Sequence, residues 1–258
     1  MSTKISSSNQ CTSDTSCFTL TFSESVENDR SMEVIGIKAQ HGFTYSECFT
    51  LSERFNGHFI HLNVLLGDKR NQAEDACVVV FKNGLQNLFN IDPTLLFNEQ
   101  AQLSMDKKCF MYGRVVNKHA RWNACFATEH QDPDYANKKG TVYAFDEVPI
   151  TKQLREKIST FGENFTDLFA EGNYYYDVKK CYIGWHGDTE RKKVVGVRLG
   201  ATFPLHFRWY EKGNPTDKQI TLNLEPGDMY IMSEKATGQD WKHRSVQWTL
   251  RHSAGDVK

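Results

Sequence analysis

The sequence predicts a mainly β protein with flanking helices, in which a double-stranded β-helix, or jelly roll, follows an N-terminal extension. From Asn173 onward, short apolar runs alternate with turns rich in glycine, proline and asparagine, as at 212–215 and 225–228. The segment before it is an amphipathic helix over 150–170, since apolar residues recur there at three- and four-residue steps. A length of 258 residues fits one large domain or two small ones.

The first part of the chain carries no recognisable chemical motif. Residues 1–31 are rich in serine and threonine, which predicts a disordered polar tail. Residues 32–105 are predicted to form an extension of unknown role that packs on the main domain. Strands are expected at 55–67 and 76–84, because both are apolar runs that end in glycine. A helical pattern after them is interrupted at Asp92-Pro93.

The main domain is predicted to span residues 106–258. Its beginning has the pattern of a strand, a long polar loop at about 113–140 and a second strand. Long loops inside compact domains are often functional lids. The helix over 150–170 is expected to cover one side of the main sheet.

Composition excludes several classes of protein. The formal net charge is −1, so bulk charge provides no nonspecific attraction to nucleic acid, and such binding must use local patches. The seven cysteines are odd in number, widely spaced and without a C-x-x-C motif, which predicts reduced thiols in the nucleus or cytoplasm. No apolar run approaches the ~18–20 residues that span a membrane, and no secretory signal is expected.

The most informative motif is the H-x-D pair of His186 and Asp188, on a predicted strand that runs into a turn. Residues two apart on a strand point to the same face. His243 follows 57 residues after His186. Two imidazoles and one carboxylate form the facial triad that binds non-haem Fe(II) and leaves coordination positions open. His252 competes with His243 as the third ligand, but no arginine follows His252 to bind a co-substrate.

The segments around these residues resemble the AlkB family of 2-oxoglutarate- and Fe(II)-dependent dioxygenases. The similarity covers roughly residues 109–255. It comprises an N-x-Y strand, an I-G-x-H-x-D-x-E core, a following strand that ends in glycine, a G-D strand, a distal-histidine segment and a closing T-x-R. These are found at 173–175, 183–190, 194–200, 224–231, 241–243 and 249–251.

This resemblance implies a metal centre and a co-substrate site. His186, Asp188 and His243 would bind Fe(II), and O₂ would be the second substrate. Asn173, Tyr175 and Arg251 would bind 2-oxoglutarate. The family's R-x-N-x-T-x-R pattern is not complete here, since its first arginine falls on Ser245 and its asparagine on Gln247. Arg244 could substitute for that arginine through a bulge.

The resemblance also implies a substrate and an activity. Glu190 would accept a hydrogen bond from the exocyclic amine of a damaged base, with Phe145 and Tyr143 as aromatic residues that stack on it. The expected function is oxidative demethylation of alkylated bases in DNA or RNA, by a monomer that does not enter membranes. The alternative is a hydroxylase of a protein or small molecule, which the near-neutral charge and the unfamiliar first hundred residues favour.

Overall fold

The computed structural model describes residues 14–243 and 245–256. Over these residues the protein is mainly β, as the sequence predicts. Its strands form one sheet of eight strands, one of four and two short hairpins. The α-helices of the described residues are α1 (Tyr45–Arg54), α2 (Gly84–Phe89), α3 (Pro93–Ala101) and α4 (Pro149–Ser159).

The large sheet has the N-terminal strand near its centre. In spatial order, its strands are β4 (His58–His61), β5 (Cys77–Phe81), β15 (Met229–Met232), β12 (Val194–Gly200), β1 (Cys17–Ser23), β10 (Phe169–Tyr175), β8 (Trp122–Ala127) and β9 (Val142–Ala144). β1 pairs antiparallel with both β10 and β12, so it carries hydrogen bonds on both edges. The tail predicted for residues 1–31 is therefore wrong from β1 onward, and residues 1–13 lie outside the described part.

The error has a simple physical origin. β1 alternates strictly, with Phe18, Leu20 and Phe22 in the apolar core on one face. Thr19 and Thr21 point to the other face and line a cavity. A high content of serine and threonine predicts disorder, but an alternation of apolar and polar residues with period two is the stronger signal of a half-buried strand.

The small sheet covers the inner face of the large one. Its strands, in spatial order, are β11 (Ile183–His186), β16 (Trp248–Ala254), β13 (Phe203–Glu211) and β14 (Asn214–Leu224), all antiparallel. The two sheets share an apolar cluster that includes Val194 and Met232 of the large sheet and Phe207, Trp209 and Leu250 of the small one. This arrangement is compatible with a β-sandwich.

The helices pack on the outer face of the large sheet. α4 buries Leu154 and Ile158 in that core, but it ends at Ser159 and is shorter than the predicted helix over 150–170. The apolar residues Phe161 and Phe165 still reach the same core from the turns after α4. The predicted break at Asp92-Pro93 is the start of α3, because the Asp92 side chain accepts a hydrogen bond from the backbone N–H of Thr94.

The segment 32–105 forms part of the sheet and the helical layer. The strand predicted at 76–84 is confirmed as β5. The one predicted at 55–67 is mostly wrong, because β4 is only four residues long and a 3₁₀ helix, Leu62–Gln72, follows it.

The region predicted to be a lid loop, at about 113–140, contains regular structure. β6 (Lys108–Met111) and β7 (Arg114–Asn117) form a hairpin, and β8 lies in the large sheet. A second hairpin joins β2 (Ser25–Glu27) to β3 (Val34–Gly36).

Two expectations about the whole chain concern cysteines and membranes. The cysteines of the described residues are buried and carry no disulfide: Cys17, Cys48, Cys77, Cys109, Cys125 and Cys181. None of the described helices combines the length and the apolar character needed to cross a membrane.

Candidate metal centre

A cavity of about 490 Å³ lies between the two sheets. Side chains of the large sheet alternate across it, so that one face packs on the helices while the other, mostly polar face lines the cavity. The polar side chains on this wall are Thr19, Thr21, Glu171, Asn173, Tyr175, Arg198 and Tyr230. His186, Asp188 and His252 line the cavity from the side of the small sheet.

These last three residues form a compact group. One potential ligand atom from each of His186, Asp188 and His252 lies within 4.8 Å of the others. Asp188 Oδ1 is 3.7 Å from His186 Nε2 and 3.6 Å from His252 Nε2. The two imidazole rings have their centroids 4.3 Å apart. Two imidazoles and one carboxylate oxygen therefore converge on one point.

Backbone contacts fix the two histidines. His186 and His252 are directly opposite each other in the pairing of β11 with β16. His186 Nδ1 lies 2.7 Å from the carbonyl oxygen of Gly184, a hydrogen bond that makes Nδ1 the protonated nitrogen. That tautomer leaves a lone pair on His186 Nε2, which faces Asp188.

Asp188 is placed by a turn, since β11 ends at His186. Its backbone N–H donates to the carbonyl oxygen of Thr237 at 2.9 Å. A Cβ atom on Gly187 would lie 2.1 Å from the carbonyl oxygen of Gly238. Only glycine permits this close approach of two backbones. The glycine of the H-G-D motif thus holds Asp188 beside His186.

Burial determines the protonation of this group. Desolvation lowers the pKa of His186 to about 4. Desolvation, with the neighbouring His186 and Arg191, lowers the pKa of His252 well below its usual value. Both imidazoles are therefore neutral at pH 7 and offer lone pairs. Burial also raises the pKa of the Asp188 carboxyl well above its usual range, an effect that a bound cation would reverse.

The prediction of His243 as the third ligand is wrong on geometry. His243 is exposed in the turn after the 3₁₀ helix Glu234–Thr237, and it is not among the residues that line the cavity. His252, the competing candidate, stands in its place. A co-substrate arginine therefore need not follow the metal-binding histidine in the chain.

The prediction of Arg251 as the co-substrate residue is also contradicted. Neighbouring residues of a strand point to opposite faces, so His252 turns Arg251 away from the cavity. The Arg251 guanidinium lies on the outer face of the small sheet, 3.8 Å from the ring centroid of Tyr210 and 4.8 Å from that of Trp241. Arg244, the proposed substitute, lies outside the described residues.

Arg198 on β12 is the residue that sequence reasoning missed. Its side chain is fully buried in the cavity wall. Nη1 donates to Thr19 Oγ1, whereas Nε and Nη2 are buried without a partner among the described residues. The sequence contains a signal for this buried charge, because Arg198 is the single charged residue in the apolar run VVGVRLG at 194–200. A buried guanidinium is costly unless an anion pairs with it.

Asn173 and Tyr175, predicted to bind the co-substrate, both lie in the cavity. Asn173 is engaged on both sides of its amide: it accepts from Arg121 Nε at 2.6 Å and donates to Glu171 Oε1 at 2.9 Å. Tyr175 is buried near Arg198, and burial raises the pKa of its hydroxyl.

Of the predicted substrate residues, only Glu190 lines the cavity. Its carboxylate is bound by Arg191 at 2.6 Å. Phe145 is buried in the core on the helical side, under the Arg155 guanidinium. Tyr143 packs against the same core, and its hydroxyl contacts the backbone of Ser104. Phe145 and Tyr143 are therefore not positioned to stack on a ligand in this cavity.

No protein-family profile matches this chain. It is 39% identical over 243 residues to an uncharacterized protein, R156, of Acanthamoeba polyphaga mimivirus, and the match covers 92% of this chain and 94% of the viral protein. An identity of this size over nearly the full length of both chains shows common descent and a common fold. The chain belongs to the same family as this mimivirus protein.

Proposed function

We propose that the protein is an Fe(II)- and 2-oxoglutarate-dependent oxygenase. The observation that carries the proposal is one cavity lined both by His186, Asp188 and His252 and by Arg198, whose Nε and Nη2 have no partner among the described residues. The first three form a metal-binding donor set, and Arg198 is the complementary group for a carboxylate. Neither feature alone would specify this chemistry.

The donor set fits a ferrous ion. Two neutral imidazoles and one carboxylate are the ligands of the facial triad, which leaves further coordination positions free. Iron bound there would supply the activation of O₂ and oxidation of the co-substrate. The protein's own part is to keep both histidines neutral, to orient His186 through Gly184, and to hold Asp188 in its turn. Burial of His252 and Asp188 shields the metal ligands from water.

Arg198 fits the far carboxylate of a dicarboxylic co-substrate. Its free Nε and Nη2 are adjacent donors of one planar fork, which matches the two oxygens of a carboxylate. Thr19, Tyr175 and Tyr230 line the same wall and offer hydroxyl groups. The ring of Tyr230 lies across Gly196, where a Cβ atom would be 2.0 Å from the ring. Gly196 thus makes room for Tyr230 beside Arg198.

The double-stranded β-helix is part of the proposal. The small sheet places the H-x-D strand β11 beside β16, which carries the second histidine. The large sheet supplies the opposite wall through β10, β12 and β15. Two sheets of mainly antiparallel strands that enclose one site between them are the arrangement this fold requires. β1 fills the position between β10 and β12 in the large sheet.

The proposed substrate remains an alkylated base of DNA or RNA. Glu190 lines the cavity and Trp241 offers an aromatic surface beside Gly187. Arg121 and Lys242 also line the cavity, and cations of this kind suit a phosphate backbone. The alternative, a hydroxylase of a protein or small molecule, is favoured by the position of Phe145 and Tyr143 outside the cavity.

The test uses the full chain loaded with Fe(II). Conversion of 2-oxoglutarate to succinate is measured with and without oligonucleotides that contain 1-methyladenine, 3-methylcytosine or 3-methylthymine. We expect turnover that requires Fe(II), that is lost in Asp188→Ala, and that methylated oligonucleotides stimulate. No turnover under any condition would overturn the oxygenase. Turnover that no oligonucleotide stimulates would overturn the nucleic-acid substrate and favour the alternative.

A further inference from the structure

Asp188 is attached to the large sheet through a row of buried charges. Its Oδ2 lies 3.6 Å from Arg191 Nε. Arg191 Nη2 donates to Glu171 Oε2 at 2.7 Å, and Glu171 is on β10. Glu171 Oε1 in turn accepts from the side chain of Asn173 at 2.9 Å. The row therefore runs from the carboxylate of the candidate metal centre to the opposite wall of the cavity.

The two oxygens of Asp188 have different surroundings. Oδ1 faces the Nε2 atoms of both histidines. Oδ2 faces the Arg191 guanidinium, whose side chain is only 7% exposed. A cation on the side of Oδ2 favours the orientation in which Oδ1 points to the histidines. A carboxylate held in this way presents one oxygen to a metal ion.

Arg191 is itself immobilised from two sides. Glu171 binds it through Nη2, and Glu190 binds it through both Nε and Nη2, at 2.7 and 2.6 Å. The side chains of Glu171 and Glu190 are 4% and 8% exposed. With Asp188 ionised, three carboxylates surround one guanidinium, so a divalent cation at the histidines would neutralise the whole group. Uncompensated buried charges are costly, and such a cation removes that cost.

We propose that Arg191, anchored by Glu171, is a positioning residue that orients Asp188 for coordination of the metal through Oδ1. The inference rests on the proposed metal centre and adds residues to it. Partners of metal ligands orient those ligands and tune their affinity. The row also explains why the charged side chain of Arg191 is buried in the wall of a cavity.

The test is anaerobic titration of the full chain with Co(II) at pH 8, followed by visible absorption, which reports coordination geometry. Arg191→Lys keeps the positive charge but removes the planar fork. Glu171→Gln removes the anchor of Arg191. Arg30→Lys is the matched control, because Arg30 also lines the cavity but forms no ion pair with Asp188 or Glu171 among the described residues. Thermal unfolding without metal shows whether each variant folds.

We expect Arg191→Lys and Glu171→Gln to bind Co(II) about 10- to 100-fold more weakly, with an altered spectrum, as is typical when a partner of a metal ligand is lost. Arg30→Lys should keep the wild-type spectrum and an affinity for Co(II) close to that of the wild type. If folded Arg191→Lys or Glu171→Gln binds Co(II) with the wild-type affinity and spectrum, the positioning role is overturned. If the wild type binds no Co(II), the metal centre itself fails.

Discussion

Replacement of Arg198 is the sharpest perturbation of the co-substrate site. Arg198→Met keeps a long apolar side chain in the wall but removes the guanidinium whose Nε and Nη2 are buried without a partner among the described residues. A fully buried guanidinium that forms two charge-assisted hydrogen bonds to a carboxylate contributes about 2–4 kcal/mol. At about 1.4 kcal/mol per tenfold, the variant should bind 2-oxoglutarate roughly 30- to 1000-fold more weakly.

The assay is calorimetric titration of the Co(II)-loaded protein with 2-oxoglutarate under nitrogen, which prevents turnover. Arg251→Met is the matched control, because it removes an arginine of β16 that points away from the cavity. We expect the control to keep the wild-type affinity and Arg198→Met to keep Co(II) binding. Normal 2-oxoglutarate affinity in Arg198→Met, or a loss in Arg251→Met alone, would refute the assignment of the carboxylate site.

Three further predictions concern the metal ligands, the H-G-D turn and the acidic wall. In metal titrations, His252→Ala should abolish Co(II) binding whereas His243→Ala should not. The reverse result would identify His243 as the third ligand. Gly187→Ala should lower the free energy of unfolding by about 1–3 kcal/mol, because the new methyl group overpacks against Gly238, and it should also weaken Co(II) binding. Gly184→Ala is the control, because its methyl group meets no neighbouring atom, and it should change neither quantity. Burial, with the nearby Glu190 and Glu171, raises the pKa of Glu27 from 4.5 to about 7. As the pH rises, the Glu27 carboxyl therefore loses its proton in the unfolded chain before it does so in the folded protein. Stability should therefore fall as the pH rises from 4.5 to about 7, and Glu27→Gln should be more stable than the wild type at pH 8 but not at pH 4, in denaturant titrations at both pH values. If Glu27→Gln and the wild type differ in the free energy of unfolding by the same amount at pH 4 and pH 8, the Glu27 prediction is wrong.

The sequence predicted the parts of the fold that depend on local pattern. β5 and the core of α4 follow from apolar runs and helical spacing, and the residues after 173 form strands as expected. The placement of β1 could not be predicted, because its partners β10 and β12 lie more than 140 residues away in the chain. Local composition contains no information about such pairing.

The candidate site was predicted in part. His186 and Asp188 were identified from their spacing, and the structure brings them together with a second histidine. The motif pattern favours His243 over His252 because it requires an arginine downstream of the ligand. Arg198, which lies upstream on β12, lines the same cavity as the two histidines His186 and His252. Strand alternation at Arg251 and His252 would have shown that these two neighbours cannot both face one cavity.

The substrate residues depended on the resemblance alone. Motif position predicts Phe145 and Tyr143 as substrate residues, but both pack against the helical layer and lie outside the cavity. Motif position also predicts Glu190, which does line the cavity, where its carboxylate binds Arg191. A motif gives the order of residues in the chain, whereas the pairing of strands determines which face each side chain occupies.

A crystal structure of the full chain with Mn(II) and 2-oxoglutarate would locate both the metal ion and the co-substrate. We expect one Mn(II) ion bound by His186 Nε2, one carboxylate oxygen of Asp188 and His252 Nε2. We also expect the far carboxylate of 2-oxoglutarate on Nε and Nη2 of Arg198. Metal bound through His243, or the far carboxylate on Arg251, would contradict these expectations.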